Sequence, residues 1–156
     1  MALPVNTAAP DFKLFNTEKK EVSLKELKGR NVLLLFFPLA FTGTCTRELC
    51  SVRDNLADFN ALSTAVFGIS VDSLFSLKKF KEEQQLNFDL LSDFNKEVSK
   101  AYDCLYEEFI NGMLGVSKRS AYIINKEGII VYSEVLENAG ELPDFEAINT
   151  KLQSLK

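Results

Sequence analysis

Residues Asn31–Phe37 read NVLLLFF, and every position after Asn31 is apolar. A strand without polar alternation has no face to give to water, so both of its faces must be covered. That requirement excludes a sheet with one wet side and places helices on both sides of a central strand. A second run, Ala65–Val71 (AVFGISV), reads as another buried strand.

The rest of the chain alternates between strand and helix patterns. Asp11–Asn16 and Glu21–Leu24 read as short strands joined by the polar turn Thr17–Lys20, an N-terminal β-hairpin. From Gly43, GTCTRELCSVRDNLADFNAL reads as one long helix, with Leu49, Val52, Leu56 and Phe59 at helical spacing. Ser73 is placed to cap a helix over Leu74–Gln85. Phe88–Leu91 reads as a strand, Lys96–Cys104 as a helix and Glu107–Lys118 as a loop. Ser120–Asn125 and Ile129–Glu134 form a hairpin around Lys126-Glu127-Gly128, and Leu142–Leu152 is a closing helix with Pro143 near its start. With 156 residues and no repeat, low-complexity tract or linker, the expectation is one domain over 1–156. Its class is α/β: a three-layer sandwich with a central mixed sheet flanked by helices, resembling a thioredoxin-like fold. In such sheets the site lies at the carboxyl end of the central strand, where the next helix begins.

Charge narrows the function. A net charge of −4 and a pI near 5.0 give no basic field for nucleic acid or an anionic membrane. No charged segment followed by a long apolar stretch marks a signal peptide, and Val32–Phe41, interrupted by Pro38, is too short to span a bilayer. A cytoplasmic location is expected. Three cysteines, an odd number, point to redox chemistry or packing rather than a disulfide scaffold. The chain has no histidine, so no Cys–His or Ser–His pair exists and no imidazole can hold zinc.

Cys45 falls where the central strand hands over to the long helix. Unpaired N–H groups at a helix N-terminus favour a thiolate. Thr42 is close enough in sequence to hydrogen-bond the sulfur, and Pro38, lacking an N–H, can wall off water. The other reading of Cys45, from local context, is a buried and inert cysteine.

PLAFTGTC resembles the P-x-x-x-T-x-x-C active-site motif of peroxiredoxins, with Pro38, Thr42 and Cys45 in the three fixed positions. The resemblance extends over APDFKLFN, FGISVDS, LLSDFNKEVSKAY and KRSAYIINKEGII, with Glu48 and Arg53-Asp54 following the motif. FPLAFTG is similar to the AhpE-like branch, and a cysteine five residues after the first is similar to the PrxQ (bacterioferritin comigratory protein) branch. The resemblance implies that Cys45 is the peroxidatic cysteine of a thiol-dependent peroxidase. It attacks hydrogen peroxide or an alkyl hydroperoxide and becomes a sulfenic acid. The chemistry that the resemblance implies needs no metal or organic cofactor. A thioredoxin-like or other thiol reductant then recycles it. A redox sensor using the same cysteine, with little turnover, is the alternative. The resemblance leaves a homodimer and a monomer open.

The family also carries an arginine that donates to the thiolate and the peroxide. The chain has four arginines. Arg30 lies at the wrong end of the central strand, Arg47 is turned away by the helix, and Arg53 is two turns along and at most supports from a distance. Arg119 precedes the strand Ser120–Asn125. If that strand runs antiparallel to the central one, Arg119 starts beside Cys45. Its protonated planar fork suits the role better than lysine would. Glu48 can orient it or be a solvated helix residue.

Cys50 matches the resolving cysteine of PrxQ-type enzymes. On one helix the Cα atoms of Cys45 and Cys50 are roughly 8–9 Å apart, whereas a disulfide needs less than about 7 Å. If Cys50 resolves, Gly43–Cys50 must unwind; if it does not, Cys50 packs and an external thiol resolves. Cys104 shares an apolar helix face with Val98 and Ala101, which favours packing over a resolving role. A thioredoxin-type dithiol would show C-x-x-C and a proline before the hairpin strand, and SKRSAY has none.

Overall fold

The computed structural model describes residues 2–155. Its centre is one seven-stranded mixed sheet. The strands are β1 (Lys13–Asn16), β2 (Glu21–Ser23), β3 (Asn31–Phe36), β4 (Thr64–Ser70), β5 (Asp89–Ser92), β6 (Ser120–Ile124) and β7 (Ile130–Val135). Their order is β2-β1-β5-β4-β3-β6-β7. β3 runs parallel to β4 and antiparallel to β6, with Phe36 opposite Ser120. The N-terminal hairpin extends the sheet by pairing β1 antiparallel to β5.

The helices are α1 (Gly43–Asp54), α2 (Leu56–Ala61), α3 (Leu74–Glu83), α4 (Glu97–Ala101) and α5 (Phe145–Ser154). They cover both faces of the sheet, which explains the all-apolar β3. Leu33 and Leu35 face Leu49, Val52, Leu77, Phe80 and Ile148 on one side. Val32, Leu34 and Phe36 face Tyr102, Tyr122 and Ile124 on the other. Leu33, Leu34 and Leu35 are fully buried, and truncating any of them to Ala costs about 2–5 kcal/mol. Gly68 in β4 permits this packing: a Cβ there would lie 2.7 Å from Leu90 Cδ2 and 3.3 Å from a ring carbon of Phe37.

Several elements differ from the sequence reading. The long helix breaks at Asn55 (φ −113°, ψ 14°), which separates α1 from α2. The Asn55 amide donates to Ser51 O at 2.8 Å, a local bond that competes with helix continuation. Leu24 starts a 3-10 turn instead of ending β2; the Ser23 hydroxyl accepts from Glu26 N there. α4 starts at Glu97, where the Asp93 carboxylate takes the N–H groups of Val98 and Ser99, and it ends at Ala101 rather than Cys104 because Asp103 turns left-handed (φ 52°) and Cys104 N bonds back to Ser99 O at 2.9 Å. Ser73 caps α3 as expected, through Ser76 N. Pro143 lies outside α5, whose cap is Asp144 accepting from Ala147 N.

Candidate active site

β3 delivers the chain to α1 through Phe37–Thr42, and Cys45 lies in the first turn of α1. The connection is held from β4: the Asp72 carboxylate accepts from Ala40 N at 2.9 Å and from the Ser70 hydroxyl at 2.6 Å. Phe41 takes a left-handed conformation (φ 69°) and lays its ring 5.1 Å from Phe80. A side chain other than glycine adopts that conformation at a cost of order 1 kcal/mol, so the turn into α1 is set by packing.

Cys45 is 1% exposed. Arg119, equally buried, reaches it from the start of β6 because β6 runs antiparallel to β3. Arg119 Nη2 donates to Cys45 Sγ at 3.2 Å and to Ala139 O at 3.0 Å, and Nη1 donates to Glu48 Oε1 at 2.6 Å. Glu48, one helical turn after Cys45, is fully buried. Burial pushes Glu48 up to about 7 from 4.5, against the pull of Arg119. Burial opposes the charge on Arg119, but Glu48 and Cys45 outweigh it and hold the guanidinium above its ordinary value. One cation thus serves two groups able to carry negative charge. Among the described residues Glu48 Oε2 and Arg119 Nε have no hydrogen-bond partner, so the desolvation cost of the pair is only partly offset.

Outside these groups lies a cavity of about 610 Å³ lined by Pro38, Thr42, Gly43, Tyr106, Phe109 and Arg119. Its wall is tied by the Tyr106 hydroxyl donating to Glu137 O at 2.7 Å and by a 2.7 Å Lys118–Glu137 ion pair. Ile110 and Leu114, near this wall, are largely exposed.

The structure thus gathers Pro38, Thr42, Cys45, Glu48 and Arg119. It changes the part expected of the Thr42 hydroxyl, which donates to Leu39 O at 2.8 Å; the donor on the Cys45 sulfur is Arg119. Arg53 turns away, with its guanidinium on Gln84 O and Asp54. Arg47 is exposed and bonds Thr44. Cys50 lies further along the intact α1 as a half-buried free thiol, its Sγ donating to Gln84 Oε1 at 3.5 Å. Cys104 belongs to the apolar layer on the other side of the sheet from Cys45. Burial pushes its thiol up to about 12. Sequence reasoning missed Asp72 and Ala139. A carboxylate just after β4 was a signal for the first, and a main-chain oxygen leaves none for the second.

A thiol at a helix N-terminus, bonded by a buried arginine at the carboxyl end of β3, defines a cysteine-based redox enzyme. The family model for AhpC/TSA matches residues 5–133. Alkyl hydroperoxide reductase E of Mycobacterium tuberculosis is 37% identical over 145 residues, 91% of each chain. A chloroplastic 2-cysteine peroxiredoxin of Chattonella marina is 38% identical over 146 residues, 86% of this chain and 72% of that protein. The crystal structure of peroxidoxin BcpB from Mycobacterium tuberculosis superposes with a TM-score of 0.87, covering 99% of both chains at 24% identity, a likeness of fold. The chain belongs to the AhpC/TSA family of peroxiredoxins, with the thioredoxin-like fold of that family, and is a peroxidase of the oxidoreductase class. Among the described residues no helix is long and apolar enough to cross a membrane.

Proposed function

We propose that the protein reduces hydrogen peroxide and alkyl hydroperoxides at Cys45, forms a Cys45–Cys50 disulfide, and is recycled by a thioredoxin-like dithiol. The observation that carries this reading is Arg119 bonded at once to Cys45 Sγ and Glu48 beneath an open cavity. The Cys45 thiolate attacks the terminal oxygen of R–O–O–H. An S–O bond forms, the O–O bond breaks, and the leaving RO⁻ takes a proton to become ROH. Arg119 supplies fixed positive charge where negative charge moves from sulfur to oxygen. Pro38 and Thr42 shape the mouth through which peroxide reaches the sulfur, and the apolar side chains at that mouth suit an alkyl group.

The Cys50 sulfur then attacks the sulfenic sulfur; an S–S bond forms and water leaves. Because both cysteines lie on one continuous helix, this step follows unwinding of the first turns of α1. A reductant dithiol restores both thiols and becomes oxidised itself. The test is steady peroxide consumption with a thioredoxin system, abolished in Cys45→Ser, together with peptide mapping of the oxidised protein. A stoichiometric burst without turnover in any thiol reductant overturns the peroxidase reading. A Cys45–Cys104 link, or no intramolecular link, overturns Cys50 as the resolving thiol.

A further inference from the structure

Helix α1 is held in two different ways. Its first half is tied to the fold through Arg119, which bonds Cys45 and Glu48. Thr42, at the N-cap, gives no side-chain capping bond. Its second half is fastened to the end of α3. Arg53 Nη1 donates to Gln84 O at 2.5 Å, and Asn87 Nδ2 donates back to Arg53 O at 3.2 Å. Arg53 also places its charge at the C-terminus of α3, where cations are favoured. The Cys50 thiol lies between these halves, on the side-chain oxygen of the same Gln84.

Oxidation of Cys45 acts on only one of these ties. The neutral sulfenic acid is a weaker partner for Arg119 than a thiolate, so the first half loosens when chemistry occurs. The Cys50–Gln84 bond is untouched by that change and still holds Cys50 on α3. We propose that Gln84 restrains the resolving step: its side-chain amide oxygen holds the Cys50 thiol back on α3 until α1 opens, and Arg53 is the clamp that keeps Gln84 and the rear of α1 together. This rests on the reading of Cys50 as the resolving thiol. Unwinding runs from Gly43 and stops at Arg53, so Cys50 stays within a short tether of Cys45 rather than being lost in a long disordered segment.

The experiment follows two steps in single turnover: sulfenic acid formation and disulfide formation. Gln84→Leu keeps volume and removes the acceptor. Its sulfenic acid forms at the wild-type rate, its disulfide forms roughly 2- to 10-fold faster, and the peroxide concentration that half-converts Cys45 to sulfinic acid rises by the same factor. Gln84→Glu keeps an acceptor and restores the slow step. Amide exchange speeds up at Leu49–Val52 in Gln84→Leu and is unchanged in α3, which shows that the variant is folded. A Cys45–Cys50 disulfide that forms at the same rate, or more slowly, in Gln84→Leu overturns the latch while leaving the resolving role of Cys50 intact. Absence of that disulfide in the wild-type protein overturns both.

Discussion

Arg119 and Glu48 form a 2.6 Å ion pair with both side chains out of solvent, and the same guanidinium bonds the Cys45 sulfur. Their union is a consequence of topology. Glu48 comes from the helix that follows β3, and Arg119 from the residue before β6, the antiparallel neighbour of β3.

Arg119→Met removes the donor to the sulfur and leaves Glu48 buried without a cation. The second-order rate of Cys45 oxidation should fall about 10²- to 10³-fold, the usual effect of deleting one preorganised donor. Arg119→Lys recovers only part of it, because one ammonium cannot reproduce a fork that reaches Cys45, Glu48 and Ala139 together. Stopped-flow peroxide reactions of the reduced proteins check this; a wild-type rate in Arg119→Met would remove arginine from the mechanism.

Glu48 makes stability depend on pH. Its folded value, about 7, lies above its ordinary 4.5 because burial outweighs Arg119. Between these values the folded protein keeps a proton that the unfolded chain has released, so stability falls as pH rises from about 4.5 to 7. The full effect is on the order of 3 kcal/mol. Glu48→Gln mimics the neutral acid and loses this slope. Urea unfolding of both proteins between pH 5 and 8 should show wild type losing stability relative to the variant. A flat difference between wild type and variant over this range would mean that Arg119 holds Glu48 ionised throughout.

Much of this site could be read from sequence. NVLLLFF required a doubly covered strand, and the hairpin after Arg119 made an antiparallel neighbour plausible, which together placed Arg119 beside Cys45. The break at Asn55 was hidden because Leu56 and Phe59 continue the helical spacing across it. The bond of the Thr42 hydroxyl to Leu39 O depends on how the turn closes, with Phe41 at positive φ, and side-chain type does not report that. Gln84 carried no signal at all: it meets Cys50 only because α3 packs against α1 on the same face of the sheet.

Cys104 is placed to be inert. It is fully buried, its thiol is pushed up to about 12 by that burial, and the sheet separates its apolar layer from that of Cys45. Cys104→Ala should leave peroxide turnover and the disulfide map unchanged and cost about 1–2 kcal/mol through the small cavity it opens. Alkylation of the native reduced protein, read by mass spectrometry, should spare Cys104 until the chain unfolds. Native labelling of Cys104 at the rate of Cys50 would contradict its burial.

Gly43 offers the converse handle on unwinding. It is the first residue of α1, and a Cβ added there meets no heavy atom within 4 Å. Gly43→Ala therefore acts through the backbone, lowering the freedom of the unwound segment and stabilising the helix by up to about 1 kcal/mol. If disulfide formation requires this turn to open, the step slows by up to about fivefold while the melting temperature rises. Slower resolution leaves the sulfenic acid exposed to a second peroxide for longer, so sulfinic acid accumulates at lower peroxide concentration. Gly43 also lines the cavity, so the rate of the first oxidation is measured separately and used to correct the partition. A disulfide that forms at the wild-type rate in a measurably more stable Gly43→Ala protein would show that the bond forms without opening the start of α1.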